Sequence, residues 1–171
     1  HLSIVAAGLK PGDEVITTPM TFCASVNAIL HAGATPVLAD IDRRTFNLDP
    51  NAVEAAITPR TRAILPVHFA GRAADMTALE AIARPRGIRI LEDAAHGVET
   101  VHQGRKIGTI GDCTAFSFYV TKNVVTGEGG IVTTEDDGEV YGMTATSFTS
   151  LCLEPPSVLI AVNRQATMHD R

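Results

Sequence analysis

Apolar runs and polar breaks alternate along most of the chain. Short runs rich in Val, Ile and Leu, which predict buried strands, cover residues 14–18, 35–40, 61–69, 89–92 and 114–120. Helical spacing of apolar positions or helix-capping residues lie between them, at 22–31, 51–57 and 73–83. Strands separated by helices indicate βαβ units with right-handed crossovers. We therefore predict an α/β fold of three layers, αβα, with a mostly parallel sheet.

A polar turn near the end of this pattern carries a single lysine. Residues 112–134 read DCTAFSFYVTKNVVTGEGGIVTT, in which two strand-like runs flank Lys122. Its amine would be poorly solvated beside the neighbouring Phe and Tyr residues, which favours the free amine that forms Schiff bases. From the turn alone, a lysine that faces solvent is an equally good interpretation.

A second chemical feature lies upstream of the turn. Residues 88–97 read IRILEDAAHG, an apolar run that ends in Glu92 and Asp93 and is followed by His96. Carboxylates at the carboxyl end of a buried strand lie where open α/β sheets bind ligands. Taken alone, an Asp in this position is as often a helix cap or an ion-pair partner.

Together these segments resemble the sugar aminotransferases of the DegT/DnrJ/EryC1/StrS family, fold-type I enzymes that depend on pyridoxal phosphate. The resemblance rests first on EDAAHG and FSFYVTKNVVTGEGGIVTT. PGDEVITTPMTFCASVNAILHAGATPVLADID and ILPVHFAGRAADM resemble the family's other blocks, in the same order. It implies that residues 1–137 form an incomplete fold-type I large domain, the pyridoxal-phosphate-binding core.

The resemblance also implies roles for five residues. Lys122 would be the catalytic residue and hold the cofactor as a Schiff base, and Asp93 would keep the pyridine nitrogen protonated. His96 would contact the ring or its phenolic oxygen, and Ser117 would bind the phosphate. Phe22 would stack on the ring, although core packing is the commoner role for a phenylalanine at the start of a helix.

His68 is a tempting general base at the end of a predicted strand. It lies in the segment ILPVHFAG, and in related sequences this histidine belongs to the wall of the site. We therefore expect a structural role for His68.

The implied reaction is a ping-pong aminotransfer. An amino acid, with glutamate as the expected donor, would give its amino group to the keto group of a nucleotide-linked sugar, for polysaccharide or antibiotic sugar synthesis. Lysine at position 122, where related sugar dehydratases carry histidine, favours transamination over dehydration. The resemblance further implies a homodimer whose subunits complete each other's sites.

Composition narrows the range of partners. With 171 residues and 45% hydrophobic content, the chain can bury one substantial core. A net charge of −5 and the lack of a basic run argue against nucleic acid as a partner. No apolar run is long enough to span a bilayer, so no membrane partner is expected. Three cysteines without a CxxC pair predict reduced thiols, a cytoplasmic location and no metal site.

The pattern changes after residue 137. Residues 138–171 contain Thr and Ser clusters and two consecutive prolines but no sustained helical period. A family member would continue into a helix and then a small C-terminal domain. We predict instead a poorly ordered tail, either a divergent end or the product of a shifted reading frame, with 158–162 as a candidate added strand. The chain begins with His1, and the phosphate-binding loop expected before the first helix is not in the sequence.

Two alternatives to an active aminotransferase follow from these departures. The first is a non-catalytic remnant that keeps only the fold or the dimer surface. The second is a nucleotide-binding domain unrelated to pyridoxal phosphate. It is disfavoured because no GxGxxG or P-loop pattern follows the first predicted strand.

Overall fold

The computed structural model describes residues 1–136, 139–145, 148–153 and 156–160. Four helices are α1 (Leu2–Ala6), α2 (Cys23–His31), α3 (Pro50–Ala56) and α4 (Met76–Ala83). The first seven strands are β1 (Glu14–Thr17), β2 (Thr35–Leu38), β3 (Thr61–Leu65), β4 (Arg89–Asp93), β5 (Val101–His102), β6 (Arg105–Lys106) and β7 (Cys113–Ser117). The others are β8 (Gly130–Asp136), β9 (Glu139–Ala145), β10 (Phe148–Leu153) and β11 (Pro156–Ile160).

Seven of these strands form one sheet, in the order β2-β1-β3-β4-β7-β8-β9. The first five are parallel to one another, whereas β8 is antiparallel to β7 and β9 is antiparallel to β8. Strands β5 and β6 form a small hairpin between β4 and β7. The predicted mostly parallel α/β sheet is therefore confirmed.

Helices cover both faces of this sheet, because successive residues of a buried strand point to opposite faces. One buried cluster lies against α3 and α4 and includes Ile16, Ile64, Ile90, Val53 and Leu79. A second lies against α1 and α2 and includes Val15, Ala63, Leu91, Ile4 and Ile29. Each central strand contributes to both clusters, which confirms the predicted three layers.

Two helices begin where acidic side chains cap them. Asp49 accepts a hydrogen bond from the backbone N–H of Asn51 and is followed by Pro50 at the first helical position of α3. Asp75 accepts from the N–H of Ala78, and α4 therefore begins at Met76, three residues later than the apolar pattern predicted.

A buried acid joins three adjacent strands of the sheet. Oε2 of Glu92 lies 2.9 Å from Nε2 of His68, and Oε1 accepts hydrogen bonds from the N–H of Gly111 at 2.7 Å and the hydroxyl of Thr114 at 3.0 Å. Nδ1 of His68 accepts a hydrogen bond from the N–H of Ala74, so Nε2 carries the ring proton and donates a hydrogen bond to Glu92. Both side chains are fully buried.

The charge on this acid is stabilised where it lies. Burial raises the pKa of the Glu92 carboxyl, but the hydrogen bonds from His68, Gly111 and Thr114 outweigh it and hold the pKa below its usual value. Both nitrogens of His68 are engaged with structural partners. The histidine is therefore a structural residue, as expected, and has no free nitrogen with which to accept a substrate proton.

The tail beyond residue 137 contains strands in its described parts. β9 pairs along the whole of β8, and β10 and β11 form an antiparallel hairpin. The candidate added strand at 158–162 overlaps β11, and residues 161–162 lie outside the described residues. That the tail is poorly ordered in solution stays a prediction.

We expect Glu92→Gln to lower the free energy of unfolding by about 2–4 kcal/mol near neutral pH. All three partners of Glu92 are donors, and the glutamine amide would turn a fourth donor towards them. Because the folded-state pKa of Glu92 is depressed, its contribution is complete above the ordinary pKa and is lost as pH falls through the folded value. The gap between wild type and variant should therefore narrow in acid.

Urea unfolding at neutral and acidic pH measures this gap. The matched control is Glu54→Gln, because Glu54 is 57% exposed and pairs with Arg86 at the surface. A surface pair of this kind contributes about 0–1 kcal/mol. Equal effects of the two substitutions would show that the buried acid does not hold the strands together.

Candidate active site

The five predicted site residues lie at the start of α2 and at or after the ends of β4 and β7. Asp93 is the last residue of β4 and Ser117 is the last residue of β7. Phe22 immediately precedes α2, the helix that follows β1. Since β1, β4 and β7 are parallel, their carboxyl ends lie at the same edge, where open α/β sheets bind ligands.

Asp93 is anchored by hydrogen bonds to both of its carboxylate oxygens. The hydroxyl of Ser25 in α2 donates to Oδ2 at 2.7 Å, and the N–H of Ala95 donates to Oδ1 at 3.1 Å. The hydroxyl of Thr21 lies 2.7 Å from that of Ser25. Because Ser25 uses its proton on Asp93, Thr21 is the donor in this second bond. The carboxylate is thus held in one orientation at the end of its strand.

Ser25 is a site residue that the sequence analysis missed. Its signal was present but weak: a hydroxyl residue in the first turn of α2, on the buried side of the helix and only 5% exposed. Buried hydroxyls require a hydrogen-bond partner. The sequence could not identify that partner, since Asp93 lies 68 residues further along the chain.

The structure brings Lys122 and His96 together. Nζ of Lys122 lies 3.1 Å from Nε2 of His96, and both side chains are half-buried. Burial, with a further contribution from the positive charge of Lys122, lowers the pKa of His96, while the charge of Asp93 acts in the opposite sense. His96 is therefore favoured as the neutral ring, which accepts a hydrogen bond from the lysine ammonium.

Phe22 and Ser117 lie at the same edge of the sheet. Phe22 is 78% exposed, so the alternative of a core phenylalanine is wrong for this chain. Ser117 is half-buried, and its hydroxyl accepts a long hydrogen bond, 3.4 Å, from the N–H of Tyr119. Among the described contacts, the Ser117 hydroxyl has no hydrogen bond to Lys122, Asp93 or His96. An aromatic ring and a hydroxyl are thus left open towards the edge of the sheet.

The described residues contain neither a metal site nor a membrane-spanning helix. No group of three or more His, Cys, Asp or Glu side chains in the described part of the chain could hold a metal ion. None of the helices described there has the length and apolar character needed to cross a membrane.

The chemistry of these side chains suits a flat, anionic cofactor with an aldehyde and a ring nitrogen. An amine forms a covalent bond with an aldehyde, and a carboxylate holds a proton on a ring nitrogen. A hydroxyl donates to a phosphate, and an exposed aromatic ring packs on another ring. Lys122, Asp93, Ser117 and Phe22 supply these four groups, so the residues present fit pyridoxal phosphate.

Curated relatives with described roles match most of this chain. It is 58% identical over 136 residues to the spore coat polysaccharide biosynthesis protein SpsC of Bacillus subtilis, covering 80% of this chain and 35% of the relative. It is 51% identical over 137 residues to GDP-perosamine synthase of Caulobacter vibrioides, covering 80% of this chain and 37% of the relative. The chain thus spans little more than a third of the length of these relatives.

Solved structures share the fold. The aminotransferase from Psychrobacter cryohalolentis superimposes with a TM-score of 0.78 at 39% identity, over 80% of this chain and 35% of that one. NtdA from Bacillus subtilis, solved with its bound cofactor PMP, superimposes with a TM-score of 0.68 at 40% identity, over 72% of this chain and 28% of that one. PMP, pyridoxamine phosphate, is the aminated form of pyridoxal phosphate.

The match to a family as a whole is more extensive than the match to any of these proteins. The model of the DegT/DnrJ/EryC1/StrS aminotransferase family matches residues 1–152. These residues include the described site and the whole seven-stranded sheet. The chain therefore belongs to the DegT/DnrJ/EryC1/StrS aminotransferase family.

Proposed function

We propose that this chain is the cofactor-binding part of a pyridoxal-phosphate-dependent sugar aminotransferase and that Lys122 binds the cofactor covalently. One observation carries the proposal: a half-buried amine and an anchored carboxylate, both acting on His96, share the carboxyl edge of a parallel sheet. Lysine with a carboxylate partner is the usual pair for this cofactor. Membership of the aminotransferase family supports the same assignment.

When bound, pyridoxal phosphate withdraws electrons from the carbon that carries the migrating amino group. Lys122 supplies the amine that binds the cofactor and afterwards moves a proton at Nζ. Asp93, held by Ser25 and the N–H of Ala95, keeps the proton on the ring nitrogen. His96 in its neutral form accepts a hydrogen bond from Nζ and so orients the lysine. These roles of Lys122, Asp93 and His96 are inferred from the contacts described above.

Two further residues would also bind the cofactor. Within the described part of the chain the Ser117 hydroxyl has one hydrogen bond, a long one that it accepts, so its proton is available for a phosphate oxygen. The exposed ring of Phe22 would pack on the cofactor ring and exclude water from that face.

The substrates we propose are an amino acid donor, with glutamate as the first choice, and a nucleotide-linked keto sugar. The name of GDP-perosamine synthase supports the acceptor, because perosamine in that name is an amino sugar linked to a nucleotide. The name of SpsC places that relative in polysaccharide biosynthesis. We further propose that the reaction takes place in the cytoplasm, where nucleotide-linked sugars are made.

A homodimer is also part of the proposal. Four apolar side chains in the loop that carries Lys122 are 44–58% exposed, namely Tyr119, Val120, Val124 and Val125. Exposed apolar side chains grouped in one loop beside a site support an interface. We propose a second copy of the chain as its occupant, which would complete the site from the other subunit.

We expect the purified chain mixed with pyridoxal phosphate to form an adduct that borohydride fixes at Lys122. The chain has three lysines, Lys10, Lys106 and Lys122, so peptide mass mapping after reduction assigns the position without ambiguity. Once free cofactor is removed, absorbance in the near ultraviolet follows the adduct, because a lysine-bound pyridoxal absorbs where protein does not. Lys122→Ala should abolish the specific adduct.

The matched control is Lys106→Ala, because Lys106 is an exposed lysine of the β5–β6 hairpin that pairs with Glu99. This variant should keep the adduct at Lys122. Labelling spread evenly over the three lysines would instead favour the alternative function, a remnant that keeps the fold or the dimer surface without a working site.

Asp93→Asn should weaken cofactor binding about tenfold to a hundredfold, since a hydrogen bond to a charged partner contributes about 1.5–3 kcal/mol. An amide has no charge with which to hold the proton on the ring nitrogen. Titration of the chain with pyridoxal phosphate, followed by absorbance, measures the affinity. Ser25→Ala should have a smaller effect in the same direction, because it removes only one anchor of the carboxylate.

Asp75→Asn is the control for Asp93→Asn. Asp75 is an exposed N-cap of α4, and asparagine caps helices as well as aspartate does. This control should bind the cofactor as wild type does. An Asp93→Asn variant with the affinity of the control would remove Asp93 from the site.

A further inference from the structure

Three segments of the chain meet behind the Lys122 amine. The 68–73 loop follows β3, the 94–100 segment follows β4, and the loop with Lys122 follows β7. His96, in the 94–100 segment, contacts the loop with Lys122 twice. Its ring nitrogen is 3.1 Å from Nζ of Lys122, and its carbonyl accepts a hydrogen bond, 3.4 Å, from the side-chain amide of Asn123. His96 therefore holds two consecutive residues of the lysine loop.

Gly71 occupies the space behind this contact. A Cβ atom at position 71 would lie 3.0 Å from the carbonyl oxygen of His96 and 3.8 Å from Nδ2 of Asn123. Few real Cβ atoms approach a neighbour so closely, so a methyl group there would require the His96 carbonyl to shift by a few tenths of an ångström. Gly71 also has a φ angle of +82°, which residues other than glycine rarely adopt.

The loop that carries Gly71 is clamped and cannot easily move aside. The amide of Asn47, which is 2% exposed, donates to the carbonyls of Arg72 and Ala73, and its oxygen accepts from the N–H of Phe69. The hydroxyl of Thr100 donates to the Gly71 carbonyl at 2.6 Å. A displacement at position 71 would therefore be transmitted to His96 and not be absorbed by the loop.

We propose that Gly71 is a positioning residue: because it has no side chain, the clamped 68–73 loop closes on His96, and His96 then fixes Lys122 and Asn123. This inference rests on the proposed role of Lys122 for its functional meaning. The contact itself exists without the cofactor.

Gly71→Ala in the 171-residue chain tests the proposal through two readouts. The first is the titration of His96 by NMR without cofactor, in which displacement from Lys122 and greater exposure should move the pKa of His96 back up towards its usual value. The second is the rate at which pyridoxal phosphate forms the borohydride-fixed adduct at Lys122. We expect the rate to fall by up to about tenfold, because small misplacements of reacting groups slow a reaction.

Gly104→Ala is the matched control. Gly104 has φ +81, almost the same as Gly71, but nothing lies within 4 Å of its added Cβ, at the tip of the β5–β6 hairpin. Both variants carry the same backbone strain, and Gly71→Ala adds the close contact with His96, so it should lower the melting temperature at least as much as Gly104→Ala does. Only Gly71→Ala should change the His96 titration and the adduct rate. If both variants titrate and react alike, the proposal is overturned.

Thr100→Val provides a second variant in case Gly71→Ala does not fold. It removes the hydrogen bond to the Gly71 carbonyl with little change of shape, and it should shift the His96 titration and the adduct rate in the same direction, with the rate about threefold lower. An unchanged titration in Thr100→Val would count against the proposal. Failure of wild type to form the Lys122 adduct would reject the proposed function, while the His96 titration would still decide whether Gly71 positions His96.

Discussion

The fully buried Glu92 carboxylate is the interaction on which the geometry of the site depends. Its hydrogen bonds reach His68 after β3 and Thr114 in β7, while Glu92 itself belongs to β4. An ionised acid in this position is stable only while all three donors stay in place. The next residue along β4 is Asp93, which points to the opposite face. The bonds on one face of the sheet thus determine where the Asp93 carboxylate lies on the other.

The lysine side of the site is built differently, from loops that are held by one another. Lys122 is five residues beyond the end of β7 and receives its orientation from His96 and, through it, from the clamped 68–73 loop. Loops positioned by a rigid sheet commonly carry functional residues. In this molecule the acid is fixed by strand register and the amine by loop packing, so the two can respond separately to substitution.

One side of the site remains open in the isolated chain. The ring of Phe22 and the apolar side chains of the lysine loop are exposed, although such groups are usually covered. The proposed second copy of the chain would cover them. The described site therefore contains the groups that would react with a cofactor, and the proposed dimer would supply its missing wall.

The sequence by itself determined the layers of the fold, the order of its elements and the strand end at which Asp93 lies. These follow from local apolar periodicity and from the rule that parallel strands end at one edge. Resemblance to a family added the proposed roles. Only the tertiary structure decided that Ser25 anchors Asp93, that Phe22 is exposed and that Gly71 backs His96. Those contacts join residues far apart in the chain, and a one-dimensional pattern carries no record of which distant partner a buried polar group will meet.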